Sequence, residues 1–259
     1  EGDFVDDMET TLQQARIPAT VELCLARALA VGVISGGLLW LVGVLIGLAI
    51  FAVFHLGRTV INKPWIARDD FSAAVLDHTA FVFGGTSRVG DEGMLDEILA
   101  LDLDRQTVRL AGTLPWPAMS LPTEALGDSI YLLGGSVGGS YRDAILRFSP
   151  TTGQITDIGA LPSPRGLFGV TSLDGTLYIA GGWDGTACLD DIVAADPATG
   201  TSHVLGRLPS PRQSAAMVAL PGRLVVIGGE DAAGTKLDEI VEIDAKTGAV
   251  LQIGHLPSP

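Results

Sequence analysis

The chain has few of the residues on which catalysis, metal binding and disulfide formation depend. It contains 2 cysteines and 4 histidines in 259 residues, and no two histidines stand at the spacing of metal ligands. No HExxH, CxxC, GxSxG or phosphate-loop pattern occurs. The sequence therefore nominates no catalytic residue, no metal site and no cofactor, and it favours a binding protein over an enzyme.

Basic and aromatic residues are also scarce. Lys and Arg number 16 against 30 Asp and Glu, which gives a formal net charge of −14. A surface that binds nucleic-acid phosphates needs an excess of positive charge, so the composition excludes a nucleic-acid partner. Aromatic residues make up 6% of the chain, whereas 33 glycines and 14 prolines favour β structure with many turns.

Four Gly-Gly pairs recur at nearly constant intervals, and each pair closes a short apolar run. The first glycines of the pairs are Gly84, Gly134, Gly181 and Gly228, which are 50, 47 and 47 residues apart. A period near fifty residues predicts a repeat architecture in which similar units stack side by side. Function then depends on loops that the repeat does not specify.

Each unit has the pattern of four short antiparallel strands. A strand and a tight turn precede the Gly-Gly pair; a polar loop, an acidic entry to a third strand and a Thr-Gly type turn follow it. The unit ends in Leu-Pro-Ser-Pro at 161–164, 208–211 and 256–259, with Leu-Pro-Trp-Pro at 114–117 as a degenerate copy. The acidic pairs at 96–97, 190–191 and 238–239 could suggest calcium ligands. Because they recur at one step of the unit, we interpret them as solvated strand entries.

This arrangement resembles the kelch-repeat family, in its bacterial type, whose units form four-stranded blades of a β-propeller. The resemblance covers 64–259 and implies an all-β propeller with four recognisable blades. Kelch propellers usually close with more than four blades. We therefore expect an incomplete ring, completed by blades after Pro259 or by another chain, with a four-bladed ring as the alternative.

An uncharged, almost wholly apolar segment precedes the repeats. No charged residue lies between Arg27 and Arg58, a stretch longer than the roughly 20 residues that cross a bilayer as a helix. We predict three regions: an acidic, partly helical tail over 1–26, a transmembrane helix over 27–58, and the propeller over 59–259. The chain is then a single-pass membrane protein that contacts the lipid bilayer.

The predicted membrane helix carries two pairs of glycines with GxxxG spacing, Gly32 with Gly36 and Gly43 with Gly47. Small residues four apart let helix backbones approach closely in lipid, so we predict packing against other membrane subunits. Two basic residues precede the span and three follow it, which hardly separates the two sides of the membrane. The resemblance to single-pass bacterial kelch proteins implies an extracytoplasmic propeller.

Candidate binding residues come from the resemblance and from the loops. In kelch propellers an arginine after the Pro-rich connection often lines the mouth of the central channel. Arg165 and Arg212 match that position, Arg68 approximates it, and Ala118 replaces it in the second unit. These guanidinium groups would suit the carboxylate of an acidic peptide or sugar, or would bond carbonyls of a neighbouring blade. Tyr141 and Trp183, after their Gly-Gly pairs, are candidate partner anchors.

Three functions fit these observations. The first is a membrane-anchored protein-interaction module, an accessory subunit of a larger membrane complex. The second is a sugar-acid binding propeller, or an enzyme similar to the bacterial kelch sugar-acid mutarotases. The third is an extracytoplasmic carbohydrate-binding receptor. We favour the first, because no catalytic constellation is present while the anchor has residues suited to helix packing.

Overall fold

The described part of the chain is the repeat region. The structure is a computed structural model that describes residues 67–87 and 93–257, and these belong to one compact unit that begins at Ala67. The predicted acidic tail, the membrane helix and its four glycines lie outside the described residues and stay predictions. Within 67–87 and 93–257, no helix is long and apolar enough to cross a bilayer.

All regular structure in the described residues is β-strand, and it is divided among four similar sheets. The strands are β1 (Ser72–Leu76), β2 (Thr79–Phe83), β3 (Glu97–Asp102), β4 (Thr107–Thr113), β5 (Thr123–Leu126), β6 (Ser129–Leu133), β7 (Ser136–Val137), β8 (Ser140–Tyr141), β9 (Ala144–Ser149), β10 (Gln154–Ala160), β11 (Gly169–Leu173), β12 (Thr176–Ala180), β13 (Asp191–Asp196), β14 (Thr201–Arg207), β15 (Ala216–Leu220), β16 (Arg223–Ile227), β17 (Glu239–Asp244) and β18 (Val250–His255).

The predicted four-stranded units are confirmed. Blade 1 has the order β1-β2-β3-β4, blade 2 β5-β6-β9-β10, blade 3 β11-β12-β13-β14 and blade 4 β15-β16-β17-β18. All neighbouring strands are antiparallel, and β7 and β8 form a small ribbon in the loop of blade 2. Each Gly-Gly pair directly follows the second strand of its blade. Both glycines of each pair have positive φ, which explains why glycine recurs there.

The blades pack face to face, with one apolar cluster between each consecutive pair. We call the sheet face that packs on the following blade the forward face, and the opposite one the backward face. Phe81 and Phe83 on the forward face of blade 1 meet Phe148 of blade 2 edge-on, with ring centroids 5.5 Å apart in each pair. Similar clusters join blade 2 to blade 3 and blade 3 to blade 4. The central strands of blades 2 and 3 are consequently covered on both faces.

The inner strands β1, β5, β11 and β15 lie next to one another in blade order. Each of them is an edge strand of its sheet, and in the described residues no fifth strand pairs with its free edge. Side chains make some of the hydrogen bonds at this edge. Glu124 on β5 accepts hydrogen bonds from the backbone N and Oγ of Ser172 on β11, at 2.9 and 2.8 Å. The blades are therefore held together at the inner edge by polar contacts as well as by their apolar faces.

Candidate functional site

The arginines that the sequence assigned to the channel mouth are buried between blades. Arg165 has no solvent exposure. Its two Nη atoms donate to the two carboxylate oxygens of Asp191 at 2.6 and 2.8 Å, and Nη1 also donates to the Gly181 carbonyl at 3.3 Å. Its Nη2 and Nε donate to the side chain and backbone oxygens of Ser163. The guanidinium group is therefore fully occupied.

Arg165 joins two blades. Its backbone N donates to the Arg142 carbonyl, and its carbonyl accepts from Gly135 N, both at 2.9 Å and both in blade 2. The side chain reaches Gly181 and Asp191, which belong to blade 3. We call a residue with this double attachment a bridging arginine. The sequence left open that these arginines bond carbonyls of a neighbouring blade instead of a ligand. The bond from Arg165 to the Gly181 carbonyl is of that kind.

Arg212 repeats the whole arrangement, and Arg68 repeats its side-chain contacts. The buried Arg212 is bonded through its backbone to blade 3, and its side chain donates to the Gly228 carbonyl and to Glu239 in blade 4. Arg68 donates to the Gly84 carbonyl at 3.0 Å and to Glu97 at 2.9 Å. Arg68, Arg165 and Arg212 each precede their glycine by 16 residues, so Arg68 occupies the repeat position rather than merely approximating it.

The junction of blades 1 and 2 has lost this whole set of polar residues together. Ala118 stands at the arginine position, Ala144 at the position of Asp191, and Trp116 at the position of Ser163. Ala118 keeps the backbone bonds, to Leu95 O and from Gly85 N. Removing a buried arginine without its carboxylate partner would leave an uncompensated charge, which explains why both members of the pair are absent.

These contacts change the interpretation of the arginines and of the acidic pairs. Arg165 and Arg212 present no free cation to the channel, so the acidic-ligand hypothesis loses the groups on which it was based. In all three acidic pairs the second residue binds an arginine: Glu97 binds Arg68, Asp191 binds Arg165 and Glu239 binds Arg212. In two of the pairs the first residue makes an exposed pair: Asp190 with Arg207 at 2.5 Å, and Asp238 with His255 at 3.1 Å. Among residues 67–87 and 93–257, no group of three or more His, Cys, Asp or Glu side chains is placed to hold a metal ion.

The structure does bring the two predicted aromatic anchors together. We call the side of the propeller formed by the loops after the Gly-Gly pairs and by the linkers between blades the loop face. Trp183 exchanges two backbone hydrogen bonds with Gly166, at 3.0 and 2.9 Å. The ring of Tyr141 from blade 2 lies against this same Gly166 and against Gly185. Both aromatic side chains are half-buried, at adjoining positions where blades 2 and 3 meet.

Two residues that the sequence reasoning missed extend this aromatic group. The guanidinium of Arg142 lies over the ring of Trp116, 5.4 Å from its centroid. Arg142 is exposed and directly follows Tyr141 in the chain, and Trp116 is half-buried in the linker. The signal in the sequence was the departure of Leu-Pro-Trp-Pro from Leu-Pro-Ser-Pro. We call Trp116, Tyr141, Arg142 and Trp183 the aromatic patch.

The loop beside Trp183 is held by one carboxylate. Asp184 Oδ1 accepts from Thr186 N at 2.7 Å, Thr186 Oγ1 at 2.8 Å and Ala187 N at 2.8 Å. These bonds, above all those from the Ala187 and Thr186 amides, hold the pKa of Asp184 below its ordinary value of 3.8. Burial raises the pKa of the Tyr141 phenol, which therefore stays neutral at physiological pH. The patch thus lies on a loop whose local geometry is fixed.

A separate groove lies at the opposite end of blades 1 and 2. It has a volume of about 470 Å³, and its lining includes Arg109, Thr79, Thr151, Asp77 and Asp128. Arg109 is exposed, and no described residue makes a hydrogen bond or ion pair with its guanidinium. Arg109 therefore lines this groove together with the hydroxyl groups of Thr79 and Thr151, whereas Arg165 and Arg212 are buried between blades.

The repeat, the Gly-Gly turns and the bridging arginines agree with a comparison to protein families. The model described as the KLHDC2/KLHL20/DRC7 Kelch-repeats domain matches residues 70–254. The chain belongs to the kelch-repeat family. No individually curated protein is similar enough to the chain to match it. Kelch propellers are protein-interaction domains, so the match supports the first of the three functions at that level. The bacterial type stays a prediction.

Proposed function

We propose that this kelch propeller binds a partner protein through the aromatic patch of its loop face, as an accessory subunit of a membrane complex. The observation that carries the proposal is that four such side chains lie on the loop face of adjacent blades. Arg142 lies over Trp116 beside blades 1 and 2, and Tyr141 and Trp183 meet Gly166 where blades 2 and 3 join. Tryptophan, tyrosine and arginine are the residues that most often dominate the energy of protein interfaces. The chain has only 4 tryptophans and 3 tyrosines, and two of the tryptophans and one of the tyrosines lie in this patch.

The charge of the chain sets the character of the partner. The chain has a net charge of −14, so the proposal favours a partner whose contacting surface is basic at its rim. Arg165, Arg212 and Arg68 form ion pairs with Asp191, Glu239 and Glu97. These arginines therefore do not supply cations for an acidic peptide. An apolar and aromatic core with a basic rim on the partner is the complementary surface.

Membrane attachment is the second part of the proposal. The uncharged segment between Arg27 and Arg58 is long enough to span a bilayer, and its pairs Gly32 with Gly36 and Gly43 with Gly47 suit close helix packing. The helix would contact other membrane subunits while the propeller, outside the cytoplasm, contacts a partner domain. Two attachment points on one complex raise the effective concentration of each for the other.

The test begins with gentle solubilisation of the native membrane and mass spectrometry of the intact complex. We expect stoichiometric membrane partners. The double variant Tyr141→Ala with Trp183→Ala should weaken association about 100-fold, because each hot-spot truncation costs at least about 2 kcal/mol and such losses are not additive. Arg223→Ala, which removes an exposed ion pair to Glu242 elsewhere on blade 4, is the control and should leave association unchanged. A chain that migrates alone contradicts the proposal.

The membrane part has its own variants. In a helix of 3.6 residues per turn the two glycine pairs, 11 residues apart, lie on nearly the same face. Replacing either pair by leucine keeps the segment apolar but prevents close approach of the backbones, so each replacement should release the membrane partners. Gly37→Leu is the matched control: it adds the same bulk about 100° around the helix from Gly36 and should leave the complex intact.

The side of the membrane has a separate test. Thr186 is exposed on the loop after Trp183, so Thr186→Cys can be labelled on intact cells by a membrane-impermeant maleimide. Labelling of intact cells is the result expected for an extracytoplasmic propeller. Labelling only after lysis would contradict that placement.

A sugar-acid ligand is the second candidate, and the groove of blades 1 and 2 favours it. The groove offers the guanidinium of Arg109, two threonine hydroxyls, and the carboxylates of Asp77 and Asp128. The guanidinium suits the carboxylate of a sugar acid, and the aspartates can accept hydrogen bonds from its hydroxyl groups. Calorimetry with sialic acid as the probe should show binding. Arg109→Ala should abolish this binding, and Arg165→Lys should leave the affinity for sialic acid unchanged. Absence of binding heat at millimolar ligand would eliminate this candidate and leave the protein-partner proposal untouched.

A further inference from the structure

At the groove of blades 1 and 2, one aromatic residue differs from its copies in the next two blades. The position of Phe81 on the second strand is held by Tyr131 in blade 2 and by Tyr178 in blade 3. At the junction of blades 3 and 4 the hydroxyl of Tyr178 is buried and donates to the carbonyl of Ala245, at 3.2 Å. The tyrosine side chain therefore reaches across that junction and bonds the following blade.

Phe81 has no hydroxyl with which to make the same bond. The residue of blade 2 that corresponds to Ala245 is Pro150, in the turn between the third and fourth strands. Phe81 and Pro150 both line the groove. No described residue donates a hydrogen bond to the Pro150 carbonyl. The lining of the groove thus includes a backbone acceptor whose equivalent between blades 3 and 4 is bonded by a tyrosine.

Arg109 reaches the groove from the outer strand of blade 1. Phe81, Ala100 and Arg109 are opposite one another on β2, β3 and β4, so their side chains lie on one face of the sheet. The buried Ala100 is short and leaves space between the ring and the guanidinium. The cation is peculiar to this blade among the four, because the corresponding residues are Thr156, His203 and Leu251.

Charges of both signs line the groove without forming an ion pair. Asp77 and Asp128 each lie in the turn between the first and second strands of their blade, and both line the groove together with Arg109. Asp128 accepts a hydrogen bond from the hydroxyl of Ser129, at 2.9 Å. Among the described residues, none of the three charged groups has an ion-pair partner. A ligand with one charge would match only part of this lining, whereas a ligand with a positive and a negative group matches both parts.

We propose that the groove binds a small zwitterion, a molecule that carries a protonated amine as well as a carboxylate. The carboxylate pairs with the guanidinium of Arg109. The ammonium group is a donor for the Pro150 carbonyl and for the carboxylates of Asp77 and Asp128. This inference rests on the second candidate function, a ligand in this groove, and adds a positive group to that ligand. Amino sugar acids and α-amino acids both have this chemistry.

The size of the groove agrees with either class. Its volume of about 470 Å³ lies within the usual range of small-molecule sites, about 300–1,000 Å³. Leu76 and Phe81 add apolar surface to the lining. The carbon-bound hydrogens of a sugar ring or an apolar side chain can pack on that surface.

Matched probes isolate the contribution of the amine. Muramic acid and N-acetylmuramic acid have the same ring and the same carboxylate, but only the first has a protonated amine. Phenylalanine and N-acetylphenylalanine make the same comparison for α-amino acids. Calorimetry with the full chain, at mildly acidic pH where the amine is protonated, should show one free-amine probe binding at least about 10-fold more tightly than its acetylated partner. The pair that shows the preference identifies the class of ligand.

A double variant separates the charge of the amine from the added bulk of the acetyl group. Asp77→Asn with Asp128→Asn keeps the shape of both side chains and removes their charges. Asparagine tolerates the left-handed conformation of residue 77, where φ is 52°. In this variant the preference for the free-amine probe should disappear, and the affinity for the acetylated probe should not fall.

A hydroxyl at position 81 should close the groove. Phe81→Tyr copies blades 2 and 3, so the new hydroxyl is expected to bond the Pro150 carbonyl as Tyr178 bonds Ala245. Binding of every probe should be lost without a fall in melting temperature. Arg109→Ala should also abolish binding. Arg223→Ala, whose residue does not line the groove, removes one positive charge elsewhere and should leave binding unchanged.

Four results would overturn the proposal, and they differ in what they leave standing. If sialic acid and the acetylated probes bind as tightly as the free-amine probes, the second candidate stands and the zwitterion is wrong. If no probe binds at millimolar concentration, both are wrong. A preference for the amine that survives the double aspartate variant, or binding that survives Phe81→Tyr, would place the ligand outside this groove. None of these results bears on the aromatic patch.

Discussion

At the scale of single residues, the bridging arginines show how a buried charge constrains a repeat. Arg165 is wholly enclosed, and its partner Asp191 is nearly so. Such a pair adds little net stability over a well-packed apolar pair, but loss of one member leaves the other uncompensated. The junction of blades 1 and 2 illustrates the apolar solution with Ala118 and Ala144. The arginine and its carboxylate partner are therefore present together or absent together.

This logic predicts the stability of three variants. Asp191→Ala should lower the free energy of unfolding by about 3–5 kcal/mol, since it strands the Arg165 guanidinium in the interior. The double variant Arg165→Ala with Asp191→Ala copies the natural junction of blades 1 and 2 and should recover a large part of that loss. Urea denaturation measures both. Asp190→Ala, next in the chain but exposed in its pair with Arg207, is the control and should cost about 0–1 kcal/mol. A double variant no more stable than Asp191→Ala would refute the uncompensated-charge explanation.

At the scale of elements, loops and turns carry the differences between blades. The strands of all four blades follow one pattern, whereas the loops after the Gly-Gly pairs are organised by local carboxylates. Asp184 in blade 3 and Asp231 in blade 4 hold equivalent positions and accept backbone amide bonds in the same way. In both, bonds from backbone amides lower the pKa of the carboxyl group. Hydrogen bonds to amides within four residues of each aspartate therefore determine the conformation of these loops.

The Asp184 loop should therefore respond to acid in a defined direction. A carboxyl group whose pKa is lowered in the folded state contributes stability at pH values above its unfolded pKa, and this contribution is lost as the pH falls through the folded pKa. We expect the amide resonances of Thr186 and Ala187 to shift with a midpoint below 3.8. Asp184→Asn should remove this titration and leave that of Asp231 in place. A midpoint at or above 3.8 would show that these bonds do not form in solution.

The turns between third and fourth strands have a second, steric role. Gly200 and Gly175 both have positive φ, but only Gly200 faces another blade, with Ile158 O 1.6 Å from where a Cβ would lie. Gly175→Ala should cost about 1–2 kcal/mol, the usual penalty of the left-handed conformation. Gly200→Ala should cost about 1–3 kcal/mol more, since it also forces two blades apart. Thermal unfolding of the two variants measures the difference, and equal losses would contradict a tight contact between the outer strands.

At the scale of the whole molecule, each blade contacts its sequence neighbours, so stability is approximately a sum of blade and interface terms. Blades 2 and 3 are covered on both faces, as the wholly buried β6 shows. Blade 4 is covered on one face, and its outermost strand β18 is mainly exposed. Among the described residues blade 1 is likewise covered on one face only, so local opening should be easier at blades 1 and 4 than at blades 2 and 3.

Amide hydrogen exchange provides the measurement. We expect amides of β6 and β12 to exchange most slowly, and those of β18 to exchange faster by at least an order of magnitude, because unpairing β18 exposes little new apolar surface. Uniform protection across the four blades would instead indicate global, all-or-none unfolding.

The repeat could be predicted because its signals are local. The Gly-Gly pairs require positive φ, the turns need glycine or aspartate, and the apolar runs fit short strands, so strand number and order followed from spacing alone. The binding residues were predicted less well. Spacing placed Arg165 at a repeat position but not its side-chain direction, and Trp116 was noticed only as a departure from Leu-Pro-Ser-Pro.

By itself, then, the sequence determined the blades, their order and the family, since each depends on contacts within about fifty residues of chain. Only the tertiary structure decided which charges are buried, because Arg165 is attached through its backbone to blade 2 and meets Asp191 only when blade 3 packs against it. It also decided which copy of a repeated residue is left uncovered. Leu208 and Leu256 both begin a Leu-Pro-Ser-Pro linker, and the packing of blade 4 makes Leu208 part of the core.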